Sequence, residues 1–226
     1  MRLLVASSNL NKLAEYQELA LQCAPPGRPP LEIALLPGFA SLPPFDESAP
    51  TFAENAAGKA LHYSRLAADA VIADDSGLCV DALGGAPGVR SARYAGPNAT
   101  NDQRMAKLLD ELRAAGAVRP EQRRARFVCV LALAQQGRAL AVVSDSAEGT
   151  VLDAPRGAGG FGYDPVFLFE PLGRTFAELS REEKNLHSHR GKAFRRLLQA
   201  TSIPSLLPLL LGLSALLFAP RFFLSG

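Results

Sequence analysis

Short apolar segments alternate with segments of helical periodicity, and this alternation restricts the fold more than any other feature of the sequence. Residues 3–6 are apolar and resemble a short strand, and residues 7–11 form a polar loop. In the next segment, 12–22, apolar residues recur at helical spacing, namely Leu13, Tyr16, Leu19 and Ala20. A strand, a loop and a helix in this order are typical of α/β proteins.

The same alternation continues to about residue 200. The pattern predicts a strand at 31–36, a helix at 51–68 opened by the capping motif Thr51-Phe52-Ala53-Glu54, and a strand at 70–73. It then predicts a helix at 100–115, strands at 125–134, 139–144 and 165–169, and a final helix at 188–199. We therefore predict an α/β fold, with residues 1–200 as one domain and 201–226 as an apolar extension.

Charge and cysteine content exclude several classes of protein. The 24 basic and 22 acidic residues leave a formal charge of +2, which gives no reason to expect a nucleic-acid partner. Cys23, Cys79 and Cys129 are widely spaced and odd in number, which argues against a disulfide framework and a zinc site. Because the apolar amino-terminal run is too short for a signal peptide, we predict a cytoplasmic protein.

The carboxyl-terminal extension differs from the rest of the chain. Residues 203–220 carry no charge, and their length approaches the roughly 17–25 apolar residues of a membrane span. Pro204 and Pro208 disfavour a regular helix there, and no basic cluster flanks the segment. We interpret it as an appendage that packs on the domain or as a poorly ordered extension, with a membrane anchor as the alternative.

The segment Ser7-Ser8-Asn9-Leu10-Asn11-Lys12 lies between the first predicted strand and helix. Backbone N–H groups at a helix start favour anions, and Lys12 adds a positive charge. The segment lacks the glycines of a Walker A loop, so an ordinary helix cap with a solvated lysine is the alternative. It is a candidate phosphate site.

An acidic turn, Asp74-Asp75-Ser76-Gly77, is predicted directly after the apolar strand at 70–73. Adjacent strand residues point to opposite sides, so we expect the two carboxylates to have different functions. Mg²⁺ prefers hard oxygen ligands, and a carboxylate beside metal-bound water can act as a general base. The acidic pair Asp46-Glu47 could complete such a site. A plain surface turn is the alternative, because these residue types are common in turns.

Two later segments are candidates for binding the rest of a nucleotide. The glycine-rich segment 157–162 continues into Tyr163 and Asp164, and its backbone could approach a base that stacks on Phe161 or Tyr163. A hairpin loop with anchored aromatic rings is the alternative. Further on, Ser188 is a plausible helix cap, and phosphate or purine edges could be recognised by Lys184, His189 and Arg190. The spacing of the histidines argues against zinc.

Six motifs follow one another along the chain. They are Ser7-Ser8-Asn9 with Lys12, Thr51-Phe52-x-Glu54-Asn55-Ala56, Ala73-Asp74-Asp75-Ser76-Gly77-Leu78, Gly84 to Tyr94, Gly159-Gly160-Phe161-Gly162-Tyr163-Asp164-Pro165 and Ser188-His189-Arg190-Gly191. Together they resemble the inosine triphosphate pyrophosphatases, a family of house-cleaning enzymes for non-canonical purine nucleotides. Two departures stand out: the family often has Thr-Gly-Asn where Ser7-Ser8-Asn9 stands, and its members normally stop soon after the final helix.

The resemblance implies a hydrolase of nucleotide metabolism. It would convert ITP, dITP and XTP to the monophosphate and pyrophosphate with Mg²⁺, and so prevent their misincorporation into DNA and RNA. It also implies a homodimer whose protomer has an elongated mixed sheet flanked by helices, with the active-site cleft between two lobes. Residues 1–200 would be this catalytic domain.

Site residues follow from the same resemblance. Asp75 is implied as general base and metal ligand, and Glu47 as a second magnesium ligand. The triphosphate would be bound by Ser7, Ser8, Asn9, Leu10, Asn11, Lys12 and Ser76. The nucleotide pocket would be formed by Phe161, Gly162, Tyr163, Asp164, Lys184, His189 and Arg190.

Two rival interpretations remain. A non-catalytic nucleotide sensor on the same fold would keep the pocket and lack turnover. An enzyme of the same fold that removes modified pyrimidine nucleotides would differ in its base pocket. The segments around Phe161 and His189 favour the purine branch.

Overall fold

A seven-stranded mixed sheet runs through the computed structural model, which describes residues 2–27 and 29–201. The strand order is β2-β1-β3-β4-β5-β6-β7; β2 and β3 pair with β1 in parallel, and the later neighbours are antiparallel. The predicted α/β class is confirmed. The strands are β1 (Arg2–Val5), β2 (Glu32–Leu35), β3 (Ala70–Val80), β4 (Arg124–Gln135), β5 (Arg138–Val151), β6 (Phe167–Phe169) and β7 (Arg174–Thr175).

Within the described part of the chain, five α-helices flank the sheet: α1 (Leu10–Gln22), α2 (Phe52–Ser64), α3 (Asn101–Ala114), α4 (Arg181–His187) and α5 (His189–Thr201). Helices α1 and α5 cover one face, where Tyr16 and Phe194 pack against Ile72. Helix α2 covers the other face, where Ala60 packs against Val71. These two layers form one lobe, built around the start of β3.

A second lobe surrounds the far end of β3. Its core contains Leu108 from α3, Val80 from β3, Phe127 from β4 and Phe167 from β6. The long strands β3, β4 and β5 connect the two lobes, because β1 pairs with the start of β3 whereas β6 pairs with the end of β5. The structure therefore has the two lobes that the resemblance implies.

The acidic segment is not a turn, which corrects the prediction. Strand β3 continues through Asp74, Asp75, Ser76 and Gly77 to Val80, with Asp75 opposite Val130 of β4. Pairing with the largely buried β4 outweighs the local turn preference of these residue types. Glycine at position 77 allows the backbone of Gly88 to lie close against β3, because a Cβ atom on residue 77 would be only 2.4 Å from the carbonyl oxygen of Gly88. The expected alternation is confirmed, since Asp74 faces the α1–α5 layer and Asp75 faces α2.

Several element boundaries also differ from the prediction. Helix α2 ends at Ser64 rather than near residue 68, and β5 extends to Val151 rather than 144. Helix α4 was not predicted, although Ser180 and Glu183 form a capping box that marks its start. The apolar extension, for which a membrane anchor was the alternative interpretation, lies outside the described residues from 202 onward. Among the described residues, none of the helices is long and apolar enough to cross a membrane.

The end of β1 creates the space for a binding site. Val5, the last residue of β1, lies opposite Ile72, whereas β3 continues for eight residues beyond that point. The edge of β3 from Asp74 onward is therefore not covered by β1. Helix α1 begins beside this edge, so the carboxyl end of a parallel strand and a helix start meet there, as in many α/β binding sites.

Candidate active site

A cavity of about 270 Å³ lies between the two lobes at the uncovered edge of β3. Among the predicted site residues, Leu10 and Asn11 alone do not line it. Leu10 is 66% exposed, and the N–H of Asn11 donates to the side chain of Asn9. The predicted residues that line the cavity are Ser7, Ser8, Asn9, Lys12, Glu47, Asp75, Ser76, Phe161, Gly162, Tyr163, Asp164, Lys184, His189 and Arg190.

The start of α1 forms one wall of the cavity. Asn9 is the helix cap, and its Oδ1 accepts from the backbone N–H groups of Asn11 at 3.0 Å and Lys12 at 3.4 Å. Ser7 Oγ accepts from the N–H of Asn9 at 3.1 Å. The capping interpretation is therefore correct for Asn9. It does not exclude the phosphate interpretation, because Ser7, Ser8 and Lys12 still face the cavity.

Asp75 and Glu47 form the acidic side of the cavity. Asp75 is 8% exposed, and its Oδ2 accepts from Asn55 Nδ2 at 2.9 Å. Burial raises the pKa of Asp75 above its ordinary value, and the negative charge of Glu47 adds to this, while Asn55 and Lys59 oppose it. Lys59 Nζ lies 3.0 Å from Glu47 Oε1. A buried carboxylate with a raised pKa is a suitable proton acceptor.

The two carboxylates on this side of the cavity offer hard oxygen donors, which fits Mg²⁺. Mg²⁺ usually takes one or two protein carboxylates and completes its shell with water and phosphate oxygens. The described residues contain no cluster of three or more His, Cys, Asp or Glu side chains that could hold a metal ion without such water and phosphate ligands. Among the described residues that line the cavity there is no cysteine, and the one histidine, His189, is stacked on Phe127.

A chain of ion pairs runs along the other side of the cavity. Lys184 Nζ lies 2.6 Å from Asp164 and 2.7 Å from Glu15, and Arg190 lies 2.5 Å from Glu15 and 3.2 Å from Asp74. The chain ends at Lys12, whose Nζ lies 3.0 Å from Asp74 Oδ2. Three cations thus alternate with three anions, so the charges balance. We name these six residues the ionic chain.

In the ionic chain, the pKa of each buried group depends on the charges of its neighbours. Burial alone would raise the pKa of Glu15, but Arg190 and Lys184 outweigh it and the pKa is lowered. The pKa of Asp74 is also lowered, because Lys12 and Arg190 outweigh its burial. Burial would lower the pKa of Lys184, but Asp164 and Glu15 outweigh it and the pKa is raised. All three groups are therefore held in their charged forms.

His189 lies in the middle of the cavity wall, stacked on Phe127 with ring centroids 4.7 Å apart. Burial holds the pKa of His189 well below its ordinary value, and the nearby charges of Arg190 and Lys184 add to this. Its Nδ1 has no hydrogen-bond partner among the described residues. The ring is therefore neutral at pH 7 and keeps a polar atom available.

We expect the stability of the protein to fall below about pH 6.5 because of His189. The unfolded chain binds a proton on this histidine near pH 6.5 and the folded protein does not, so the free energy of unfolding decreases by about 1.4 kcal/mol per pH unit below that value. In the variant His189→Asn, the free energy of unfolding, measured with urea between pH 7 and 5, should fall less steeply as the pH is lowered. The control His62→Asn should keep the slope of the unmodified protein. An unchanged slope in His189→Asn would contradict the neutral buried ring.

Several residues that line the cavity or support its wall were not predicted. Lys59 follows Asn55 by one helical turn, so both lie on the face of α2 that meets β3, and this spacing was an available signal. Glu15 follows Lys12 by three residues on α1, but its partners Lys184 and Arg190 lie far away in sequence. Arg93 and Arg104 line the cavity from the second lobe. Arg93 belongs to the motif Gly84 to Tyr94, which was an available signal, whereas no local pattern marks Arg104.

The fold and the cavity together define an α/β protein with a nucleotide-sized cleft that has a carboxylate pair at one side and a basic, aromatic wall at the other. A sequence model of the Ham1 family matches residues 3–200. The chain belongs to the Ham1 family, which confirms the resemblance drawn from its motifs.

Alignments with similar proteins extend over most of the chain. A dITP/XTP pyrophosphatase from Geobacillus kaustophilus is 48% identical over 195 residues, which are 86% of this chain and 91% of the relative. The structure of a HAM1 protein from Coxiella burnetii has a TM-score of 0.76 at 41% identity and covers 89% of this chain and 98% of that one. A nucleoside-triphosphatase, dITP/XTP pyrophosphatase, from Mycobacterium abscessus has a TM-score of 0.63 at 38% identity, with 88% and 99% covered.

Proposed function

We propose that the chain hydrolyses the non-canonical purine nucleotides ITP, dITP and XTP to the monophosphate and pyrophosphate. The observation that carries this proposal is that one cavity contains Lys12, the carboxylates Asp75 and Glu47, and the aromatic and basic wall around Phe161 and Lys184. A triphosphate, its metal and a base each find matching chemistry there. The enzyme class and substrate class agree with the relatives, several of which are named dITP/XTP pyrophosphatase.

Magnesium is part of this proposal. Glu47 and Asp75 would hold the ion, since both carboxylates line the cavity and are the hard ligands that Mg²⁺ prefers. When bound there, Mg²⁺ would neutralise part of the phosphate charge and polarise the phosphoryl oxygens.

The residues of the chain provide the remaining chemistry. Asp75 accepts the proton of the attacking water, and its raised pKa favours that transfer. Lys12, which is paired with Asp74, and Lys59, which is paired with Glu47, place two positive charges at the cavity and offset the charge of the leaving pyrophosphate. Ser7, Ser8 and Ser76 offer hydroxyl groups to the triphosphate. Asn9 contributes by capping α1 and so holding Lys12 in place.

Base selectivity is proposed to come from the opposite wall. Lys184 has three N–H donors, and Glu15 and Asp164 accept two of them, which leaves one for a 6-oxo group. Adenine carries an amino group at that position and would be poorly paired. Phe161, whose ring centroid lies 4.7 Å from Lys184 Nζ, offers a face on which the base stacks.

A cytoplasmic location and a homodimer complete the proposal. The location rests on the short apolar amino-terminal run, and the homodimer rests on the resemblance to the family. Sedimentation of the purified chain tests the dimer. Fractionation of cells that express the chain with and without residues 203–226 tests the alternative of a membrane anchor.

Pyrophosphate release measured across ITP, dITP, XTP, GTP and dTTP tests the substrate assignment. We expect the first three to be hydrolysed at least about 100-fold more efficiently than dTTP, in kcat/KM. GTP carries the same 6-oxo group, so its rate measures how far the 2-amino position is discriminated. A non-catalytic sensor would bind dITP without releasing pyrophosphate. Preference for pyrimidine triphosphates would support the rival pyrimidine enzyme and overturn the proposal.

A further inference from the structure

Asn55 makes a set of contacts that the proposed chemistry does not use. It lies on α2 and is fully buried, with 0% exposure. Its Nδ2 donates to Asp75 Oδ2 at 2.9 Å and to the carbonyl oxygen of Ala49 at 3.3 Å, and its Oδ1 accepts from the N–H of Ala49 at 3.1 Å. One amide group therefore joins Asp75 to the backbone of the loop that precedes α2.

The loop that Asn55 holds is the one that carries Glu47. Residues 43–50 form neither helix nor strand, and three of them are proline, so the loop has few backbone hydrogen bonds of its own. The backbone around Glu47 is instead held from outside, by Asn55 at Ala49 and by Arg93, whose Nη2 donates to the carbonyl oxygen of Glu47 at 2.9 Å. The backbone on which Glu47 stands is thus held by these two side chains, while Lys59 Nζ binds the Glu47 carboxylate itself at 3.0 Å.

We infer that Asn55 is a positioning residue that sets the placement of Glu47 relative to Asp75, and so prepares the carboxylate pair for a divalent cation. This inference rests on the proposed function. Asn55 does not touch the substrate in this scheme, since it is absent from the cavity lining. It acts through Asp75 on one side and through the Glu47 loop on the other.

The chemistry of an amide explains why asparagine stands there. Two donors and one acceptor are needed at one position, and among short side chains only asparagine offers them in this arrangement. A purely structural contact with the loop would need only the two bonds to Ala49. The third bond, to a buried carboxylate, restricts the orientation of Asp75. Loss of partners that orient metal-binding carboxylates typically weakens metal binding or activity by about 10–100-fold.

The variant Asn55→Ala tests the inference, with Ser64→Ala as a matched control. Ser64 is also fully buried on α2, and it bonds to Leu61 and Gly137 rather than to Asp75. Mn²⁺ binding, followed by electron paramagnetic resonance without nucleotide, and the Mg²⁺ concentration that half-saturates dITP hydrolysis are both measured. We expect each to be about 10-fold weaker in Asn55→Ala and unchanged in Ser64→Ala.

Further readouts separate positioning from general damage. Excess Mg²⁺ should restore much of the rate of Asn55→Ala, and the KM for dITP at saturating metal should change less than the metal affinity. If Asn55→Ala does not fold, Asn55→Leu fills a similar volume without hydrogen bonds, and the same loss of Mn²⁺ affinity is expected. Folded Asn55 variants with unchanged metal affinity would overturn the inference.

The outcomes also distinguish this inference from the proposed function. If the unmodified chain releases no pyrophosphate from dITP, the proposed function fails whatever the variants do. If the unmodified chain is active and Asp75→Asn is inactive, but Asn55→Ala binds Mn²⁺ normally, only the role of Asn55 is overturned.

Discussion

Replacement of Asp75 by asparagine is expected to slow dITP hydrolysis by about 10³–10⁴-fold, because the side chain keeps its shape but can no longer accept a proton. It also loses the charge that would hold the metal. Asp75 lies in the middle of β3, where it is buried against α2 and bonded by Asn55. An asparagine fits the same volume, so the thermal unfolding midpoint should not fall by more than a few degrees. The rate is measured as pyrophosphate release at saturating dITP and Mg²⁺.

The variant Asp81→Asn is the control for this prediction. Asp81 follows β3 directly, is exposed, and pairs with Arg126 rather than facing the cavity. It should hydrolyse dITP at nearly the normal rate. Near-normal turnover by Asp75→Asn would remove Asp75 from its proposed role.

Replacement of Glu15 by glutamine is expected to lower the free energy of unfolding by about 3 kcal/mol. Glu15 is the only anion of the ionic chain that contacts both Lys184 and Arg190. Without the charge of Glu15, Lys184 and Arg190 each lose one of their two carboxylate partners. Removing one partner of a buried ion pair is destabilising, because the remaining charge is no longer compensated. Urea unfolding monitored by circular dichroism measures the change.

Glu18→Gln is the matched control for Glu15, since Glu18 lies almost one turn later on α1 and accepts a hydrogen bond from Gln22. Its substitution should change the free energy of unfolding by less than about 0.5 kcal/mol. A similarly small effect of Glu15→Gln would show that the ionic chain does not contribute to stability as the distances suggest.

Much of the fold follows from local sequence signals. The order of strands and helices was predicted except for β7 and α4, and capping residues such as Thr51 mark helix starts that the structure has at those positions. Strand β3 was misjudged at Asp74 and Asp75 because turn preference is a local property. Their place in a strand depends on pairing with β4, some fifty residues later in the chain.

The segments of the site could be predicted, but not the partners of each side chain. Lys184 and Arg190 were expected to face a ligand, whereas the structure engages both with Glu15 from α1. These pairs span more than 160 residues of sequence, and no periodicity links their members. Likewise, the contact between Asn55 and Asp75 exists only because α2 packs on β3.

Identification of the products of dITP hydrolysis tests the central claim most directly. The purified chain is incubated with dITP and Mg²⁺, and the products are separated by ion-exchange chromatography. The proposed function predicts deoxyinosine monophosphate and pyrophosphate in equal amounts. Release of orthophosphate with deoxyinosine diphosphate, or no turnover at all, would contradict it.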